Sequence, residues 1–303
     1  MSIVFFGTGE FAVPALEALG AEIDLVVTQP DRPSGRGMRL HPSPVKVAAE
    51  RLGLQVATPE KSRSPEFVET LRSMNPDMLL VASYGQILSQ AVLDSARRCG
   101  INLHGSILPK YRGAAPIQRA ILNGETEAGV TLMQMDRGMD TGDMIDVERT
   151  QIGPDETYGE LQRRLAFLAA HLTKKWTPRI LDGDYPRTPQ DPAAATMAPK
   201  VEKSEARLNL EEGAIPCYRR FRAFTPSPGP YIQSSVGLLK LSQVRLRVEV
   251  ATSGVIVSTH DGLVIGCGDG SLEFAELQPE GKRRMSGRDF ANGAHLKPGM
   301  CLL

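Results

Sequence analysis

Apolar runs too short to be helices alternate with helical spacings along the first third of the chain. Residues 3–6 (IVFF) form an unbroken apolar run that ends in Gly7-Thr8-Gly9, and Phe11, Leu16 and Leu19 then recur at helical intervals. The order is strand, turn, helix. Residues 23–27, 78–81 and 101–103 read as further buried strands, and residues 45–52 and 67–74 read as helices between them. Such alternation predicts βαβ units and a mostly parallel sheet, whose ligands sit in the loops beyond the carboxyl ends of its strands.

The pattern changes after residue 186. The stretch 186–199 (PRTPQDPAAATMAP) is rich in Pro and Ala, as an extended connection is. Residues 214–224 have helical spacing, and residues 238–250, 254–259, 263–266 and 272–277 are short apolar or alternating runs separated by glycine turns. A small, mainly β domain is expected, as a barrel or open sandwich. The expected division is an α/β domain over residues 1–186, a connection over 187–206 and the β domain over 207–303.

Composition narrows the partners. With 303 residues, 41% hydrophobic and 23% charged, the chain can bury two cores. Lys plus Arg and Asp plus Glu both total 35, so any polyanion site has to be local. Cys99, Cys217, Cys267 and Cys301 form no CxxC pair, which argues against a zinc ribbon or disulfide framework and for a reducing cytoplasm. The five histidines show no metal-ligand spacing, and the apolar start lacks a basic leader and the length of a membrane span. Neither a metal nor a membrane partner is expected.

Four motifs carry candidate chemistry. Gly7-Thr8-Gly9-Glu10-Phe11-Ala12, with Asp31 further on, matches a dinucleotide fingerprint, although close packing of helix on strand asks for the same glycines. The segment 31–40 (DRPSGRGMRL) places Arg32, Arg36 and Arg39 among glycines, which suits either a phosphate backbone or a solvated basic turn. In 101–112 (INLHGSILPKYR), Asn102 and His104 share one face of a strand end, where an amide can stabilise an oxyanion and an imidazole can move a proton. The loop 136–146 (DRGMDTGDMID) offers four carboxylates at a spacing unlike an EF-hand, and one of them could orient a histidine.

Together these segments resemble the methionyl-tRNA formyltransferase family of folate-dependent formyltransferases. The likeness runs from Gly7-Thr8 through TQPDRPSGRG, PSPVK, SYGQIL, INLHGSILPKYRGAAPIQRAILNGE and GVTLMQMDRGMDTGDM to RAF and LQPEGKRRMS. It implies a Rossmann-like catalytic domain with a smaller C-terminal OB-like β-barrel. It assigns the catalytic asparagine, histidine and aspartate to Asn102, His104 and Asp140, and the folate contacts to Ser106, Ile107, Leu108 and Pro109, with backbone near Ile87 and Leu88. It assigns tRNA contacts to Arg36 and Arg39, and to Arg219, Arg222, Lys282 and Arg283 in the C-terminal domain. Two departures stand out: Gly9 where the family commonly has proline, and Thr225-Pro226-Ser227-Pro228 without a tryptophan often present there.

The implied reaction moves the formyl group of 10-formyltetrahydrofolate to the α-amine of methionine on initiator methionyl-tRNA, with no metal, in the cytoplasm and by a monomer. A sugar-nucleotide N-formyltransferase would use the same trio of residues. A nicotinamide-dependent reductase would leave INLHGSILP without a purpose. A purely RNA-binding protein would leave Asn102, His104 and Asp140 unexplained.

Overall fold

The computed structural model describes residues 1–34 and 39–303. In chain order the elements of the first two thirds are β1 (Ile3–Gly7), α1 (Val13–Leu19), β2 (Ile23–Val27), β3 (Arg32–Ser34), β4 (Arg39–His41), α2 (Pro44–Arg51), β5 (Val56–Ala57), α3 (Pro65–Met74), β6 (Met78–Ala82), α4 (Gln90–Leu93), β7 (Cys99–His104), α5 (Pro116–Leu122), β8 (Glu127–Gln134), β9 (Met144–Gln151) and α6 (Tyr158–Asp182). There follow α7 (Ala214–Ala223), β10 (Tyr231–Ser234), β11 (Gly237–Arg247), β12 (Ile256–Ser258), β13 (Leu263–Gly266), β14 (Ser271–Pro279), β15 (Met285–Ser286) and α8 (Gly287–Gly293).

The contacts divide the chain into two compact units. One comprises Met1–Pro116, Glu127–Gln151 and Gln162–Pro199; the other comprises Ile117–Thr126, Ile152–Leu161 and Lys200–Leu303. These limits differ from those expected from sequence. The Pro- and Ala-rich stretch hydrogen-bonds into the first unit, where the Thr188 amide reaches Met144 O at 2.9 Å and the Ala198 amide reaches Arg112 O at 2.7 Å. Its composition disfavours regular structure but leaves these individual backbone bonds free to form.

In the first unit the sheet order is β5-β2-β1-β6-β7-β8-β9. Strands β5 to β7 in that order run parallel, while β8 and β9 are antiparallel additions at one edge. β1 and β6 are buried along their whole length, which is why they read as continuous apolar runs rather than alternating ones. On one face Val4, Phe6, Leu79 and Val81 pack with Phe67, Val68 and Leu71 of α3. Serine caps start the helices: Ser43 accepts from the Lys46 amide before α2 and Ser64 from the Phe67 amide before α3, each followed by proline at the first helical turn.

The second unit is built on an antiparallel sheet in the order β10-β11-β14-β13-β12, with β15 also paired to β14. Register shifts around Gln243 where β11 meets β14 mark bulges, which curl a long strand pair towards a half-barrel. Leu239, Leu241, Val244, Leu272, Phe274 and Leu277 of those two strands share a core with Tyr218 and Phe221 of α7.

Candidate active site

β7 delivers the site. Its register with β6 pairs Asn102 with Val81, and its register with β8 pairs His104 with Thr131, so both polar residues lie at the carboxyl end of a central strand. Being two apart, they point to the same face. His104 is only 5% exposed. Its Nε2 lies 2.9 Å from Tyr111 O, and because a carbonyl only accepts, Nε2 carries the hydrogen. That leaves Nδ1, 3.5 Å from Oδ2 of Asp140, as the nitrogen able to take up or release a proton.

Asp140 joins the two. Its Oδ1 accepts from Asn102 Nδ2 at 3.1 Å and its Oδ2 accepts from the Gly113 amide at 2.9 Å. A carboxylate only accepts, so the Asn102 amide is turned with its NH2 towards Asp140, and one of its hydrogens remains for a ligand. The backbone of Asp140 is left-handed, at φ 54. The other carboxylates of its loop are engaged elsewhere: Asp136 accepts from Gly138 and Thr141, Asp143 pairs with Arg187, and Asp146 holds Lys175 and the Trp176 indole.

The segment after β7 is tied down by its own polar groups. Ser106 Oγ donates to Lys110 O at 2.6 Å, Thr131 Oγ1 donates to Ser106 O at 2.7 Å, and the Leu108 amide donates to Thr131 Oγ1 at 3.1 Å. Ser106 and Leu108 are buried, whereas Ile107 and Pro109 are half-buried. Ile107 presses on Gly129, where a Cβ would come within 2.8 Å of its Cγ1. The loop leaving β6 carries Leu88 into the core and leaves Ile87 81% exposed.

The glycines of the first turn serve packing. A Cβ on Gly7 would lie 2.7 Å from Phe5 and 2.9 Å from Ala12, and the amides of Thr8 and Gly9 both donate to Ser83 O. Packing therefore accounts for the glycines of this turn without a pyrophosphate. Gln29, missed in the sequence reading, donates through Nε2 to Tyr84 O at 2.9 Å and lies over Gly85, whose φ is +83.

The basic residues separate into different groups. Arg36 lies outside the described residues, as does the side chain of Arg39; the strands on either side, β3 and β4, pair antiparallel, with Ser34 opposite Arg39 and Arg32 opposite His41. Lys282 and Arg283 are exposed between β14 and β15. Arg219 is half-buried, with its guanidinium against Gly124. Arg222 has to be corrected. It is 7% exposed, donates to Gly153 O at 3.0 Å and lies over the Tyr218 ring, and burial lowers its pKa from the usual arginine value. Its guanidinium is buried inside the second unit, which takes it away from the surface where a phosphate would bind.

The formyl transferase family profile matches residues 1–177, and that of the formyl transferase C-terminal domain matches residues 200–295. The methionyl-tRNA formyltransferase of Geobacter metallireducens is 44% identical over 306 residues, covering 100% of this chain and 98% of the relative. That of Myxococcus xanthus is 44% identical over 301 residues, covering 98% and 96%. Among solved structures, the N-formyltransferase of Helicobacter canadensis, in complex with folinic acid and dTDP-3-aminofucose, shares the fold with a TM-score of 0.66 at 19% identity, covering 90% of this chain and 98% of that one. With full-length identity at this level and with both domain families matched, the chain belongs to the methionyl-tRNA formyltransferase family.

Proposed function

We propose that the protein transfers the formyl group of 10-formyltetrahydrofolate to the α-amino group of the methionine on initiator methionyl-tRNA, for translation initiation in the cytoplasm. The observation that carries this reading is the single carboxylate, Asp140, touching both Asn102 and His104 at the end of β7. An oxyanion donor and a proton carrier held side by side are what acyl transfer to an amine requires.

The residues present fit a folate. Ile87 offers an exposed apolar side chain on a loop that leaves β6 just past Val81, the register partner of Asn102. Ile107 and Pro109 add half-buried apolar surface after β7, while the polar groups of Ser106 and Leu108 are consumed in holding that surface still. Ser106 and Leu108 therefore act on a folate through shape. Leu88 contributes its backbone, its side chain being in the core.

Bound 10-formyltetrahydrofolate supplies the formyl group. The free amide hydrogen of Asn102 donates to the oxygen on which negative charge develops as the amine attacks the formyl carbon. His104 accepts at Nδ1 the proton that the amine loses and returns it to the departing folate nitrogen. Asp140 fixes the amide and the imidazole relative to one another. The paired strands β3 and β4 would present Arg36 and Arg39 to the acceptor stem, while Lys282, Arg283 and Arg219 would take phosphates further along the tRNA. On this reading the first compact unit, with the stretch up to Pro199 bonded into it, forms the catalytic part and the second unit the tRNA-binding part of a monomer.

The test is incubation with 10-formyltetrahydrofolate and charged initiator tRNA, scoring N-formylmethionine after hydrolysis of the ester. Product formation without added metal is expected. No product on tRNA, together with turnover of an amino-sugar nucleotide, would replace this reading with the sugar one.

A further inference from the structure

Gln190 sits in the Pro- and Ala-rich stretch that resembles a connection, yet its side chain is buried and fully employed. Its Nε2 donates to Asp140 O and to Gly142 O, both at 2.8 Å, and its Oε1 accepts from Arg112 Nε at 2.9 Å and from Arg112 Nη2 at 2.7 Å. An amide has two N–H donors and two oxygen lone pairs, so all four are used. Carbonyls only accept and a guanidinium only donates, so the amide has one possible orientation.

The two segments that meet on Gln190 are those that set the site. Arg112 lies between Tyr111, whose carbonyl faces His104 Nε2, and Gly113, whose amide holds Asp140 Oδ2. Asp140 and Gly142 belong to the opposite loop. Asp140 keeps a left-handed φ of 54, a conformation that non-glycine residues hold only when neighbours enforce it. Gly142 is pressed against β8, where a Cβ would lie 1.9 Å from Gln134 O. The Gln190 amide is thus a second bridge, beside the direct Gly113–Asp140 bond, that ties the backbone of the Asp140 loop to the Arg112 side chain.

We infer that Gln190 is a positioning residue for catalysis, acting through Asp140 by clamping its loop to Arg112. This rests on the reading of Asp140 as the carboxylate that orients Asn102 and His104. Gln190 touches no reacting atom, so its loss should appear in kcat and not in substrate affinity. A small displacement of an orienting group is enough to cost one to two orders of magnitude in rate.

The decisive variant is Gln190→Glu, which keeps oxygens for Arg112 but sets a carboxylate against two carbonyls that need donors. Gln190→Met, of similar length and uncharged, carries the test should Gln190→Glu fail to fold, as judged by a cooperative thermal transition. Each is assayed for formylation in the wild-type background and in an Asp140→Asn background. In the first, kcat should fall about 10- to 100-fold with KM for folate and tRNA nearly unchanged. In the second, the same change should cost less than about 2-fold, because contacts acting through one group are not additive. Unchanged kcat in the first background would overturn the inference. So would an equal loss in both backgrounds, the result of a purely structural role. Absence of formylation by the wild-type protein would instead show that the function reading itself had failed, and this inference with it.

Discussion

Nδ2 of Asn102 donates to Oδ1 of Asp140 at 3.1 Å across 38 positions of sequence. The bond fixes which face of the Asn102 amide is free, and the other oxygen of the same carboxylate lies 3.5 Å from His104 Nδ1. One acidic side chain therefore sets the orientation of an amide and of an imidazole together.

Removing that carboxylate should uncouple the pair. Asp140→Ala is expected to lower kcat by at least ~100-fold, as are Asn102→Ala and His104→Ala, each of which deletes an oxyanion or proton-transfer contribution. Double variants among the three should lose much less than the product of the single losses, since the groups act as a unit. Steady-state kinetics with initiator methionyl-tRNA checks this; strictly multiplicative losses would show three independent roles.

Ligand preference follows from the first turn. A stable folate analogue should raise the unfolding temperature, because a ligand bound only by the folded state stabilises it by mass action. NAD should not, since the Thr8 and Gly9 amides are already committed to Ser83 O. A thermal shift with NAD and none with the folate would reverse the assignment.

Arg222 should behave as a core residue. Its guanidinium donates to Gly153 O and covers the Tyr218 ring, so Arg222→Ala leaves a buried carbonyl without its partner and a void beside the ring. Losses of this kind cost about 2–4 kcal/mol. The variant should melt at a lower temperature, and the surviving folded fraction should keep its salt dependence of tRNA binding. A shallower salt slope with unchanged melting would restore Arg222 to the tRNA surface.

The sequence made the parallel sheet legible because β1, β2, β6 and β7 are buried runs, and burial is what hydropathy records. It also exposed Asn102 and His104, since alternation along a strand end is local. α6, 25 residues long, was missed: its apolar positions are interspersed with charges, and Pro178 sits within it. Arg222 was legible in hindsight. It continues the spacing of Ala214, Cys217, Tyr218 and Phe221, the buried stripe of α7, so periodicity placed it inside while its charge argued for outside. Gln190 had no local signal, because its partners Arg112 and Asp140 are 78 and 50 positions away.

The basic residues offer the last prediction. Contacts that merely position an RNA on its phosphates add affinity whatever its sequence, and each neutralised phosphate adds roughly 0.7 to 0.9 to the salt slope. Lys282 and Arg283, exposed between β14 and β15, fit that part. Reversing both charges should weaken initiator and elongator methionyl-tRNA alike. The Arg36 segment differs because it lies in sequence between the paired strands β3 and β4, close after Asp31, which pairs with Lys46 at 2.9 Å, and Gln29, which braces the loop beyond β6. Glycines flank Arg36, so seating it on an acceptor stem costs conformational entropy that a wrong stem does not return. Arg36→Ala should then cut kcat/KM strongly for initiator tRNA while shrinking the preference over the elongator. The comparison needs both tRNAs at two salt concentrations, with folate binding confirmed for every variant. Equal loss on both tRNAs would reduce Arg36 to an electrostatic handle and would place discrimination elsewhere in the protein.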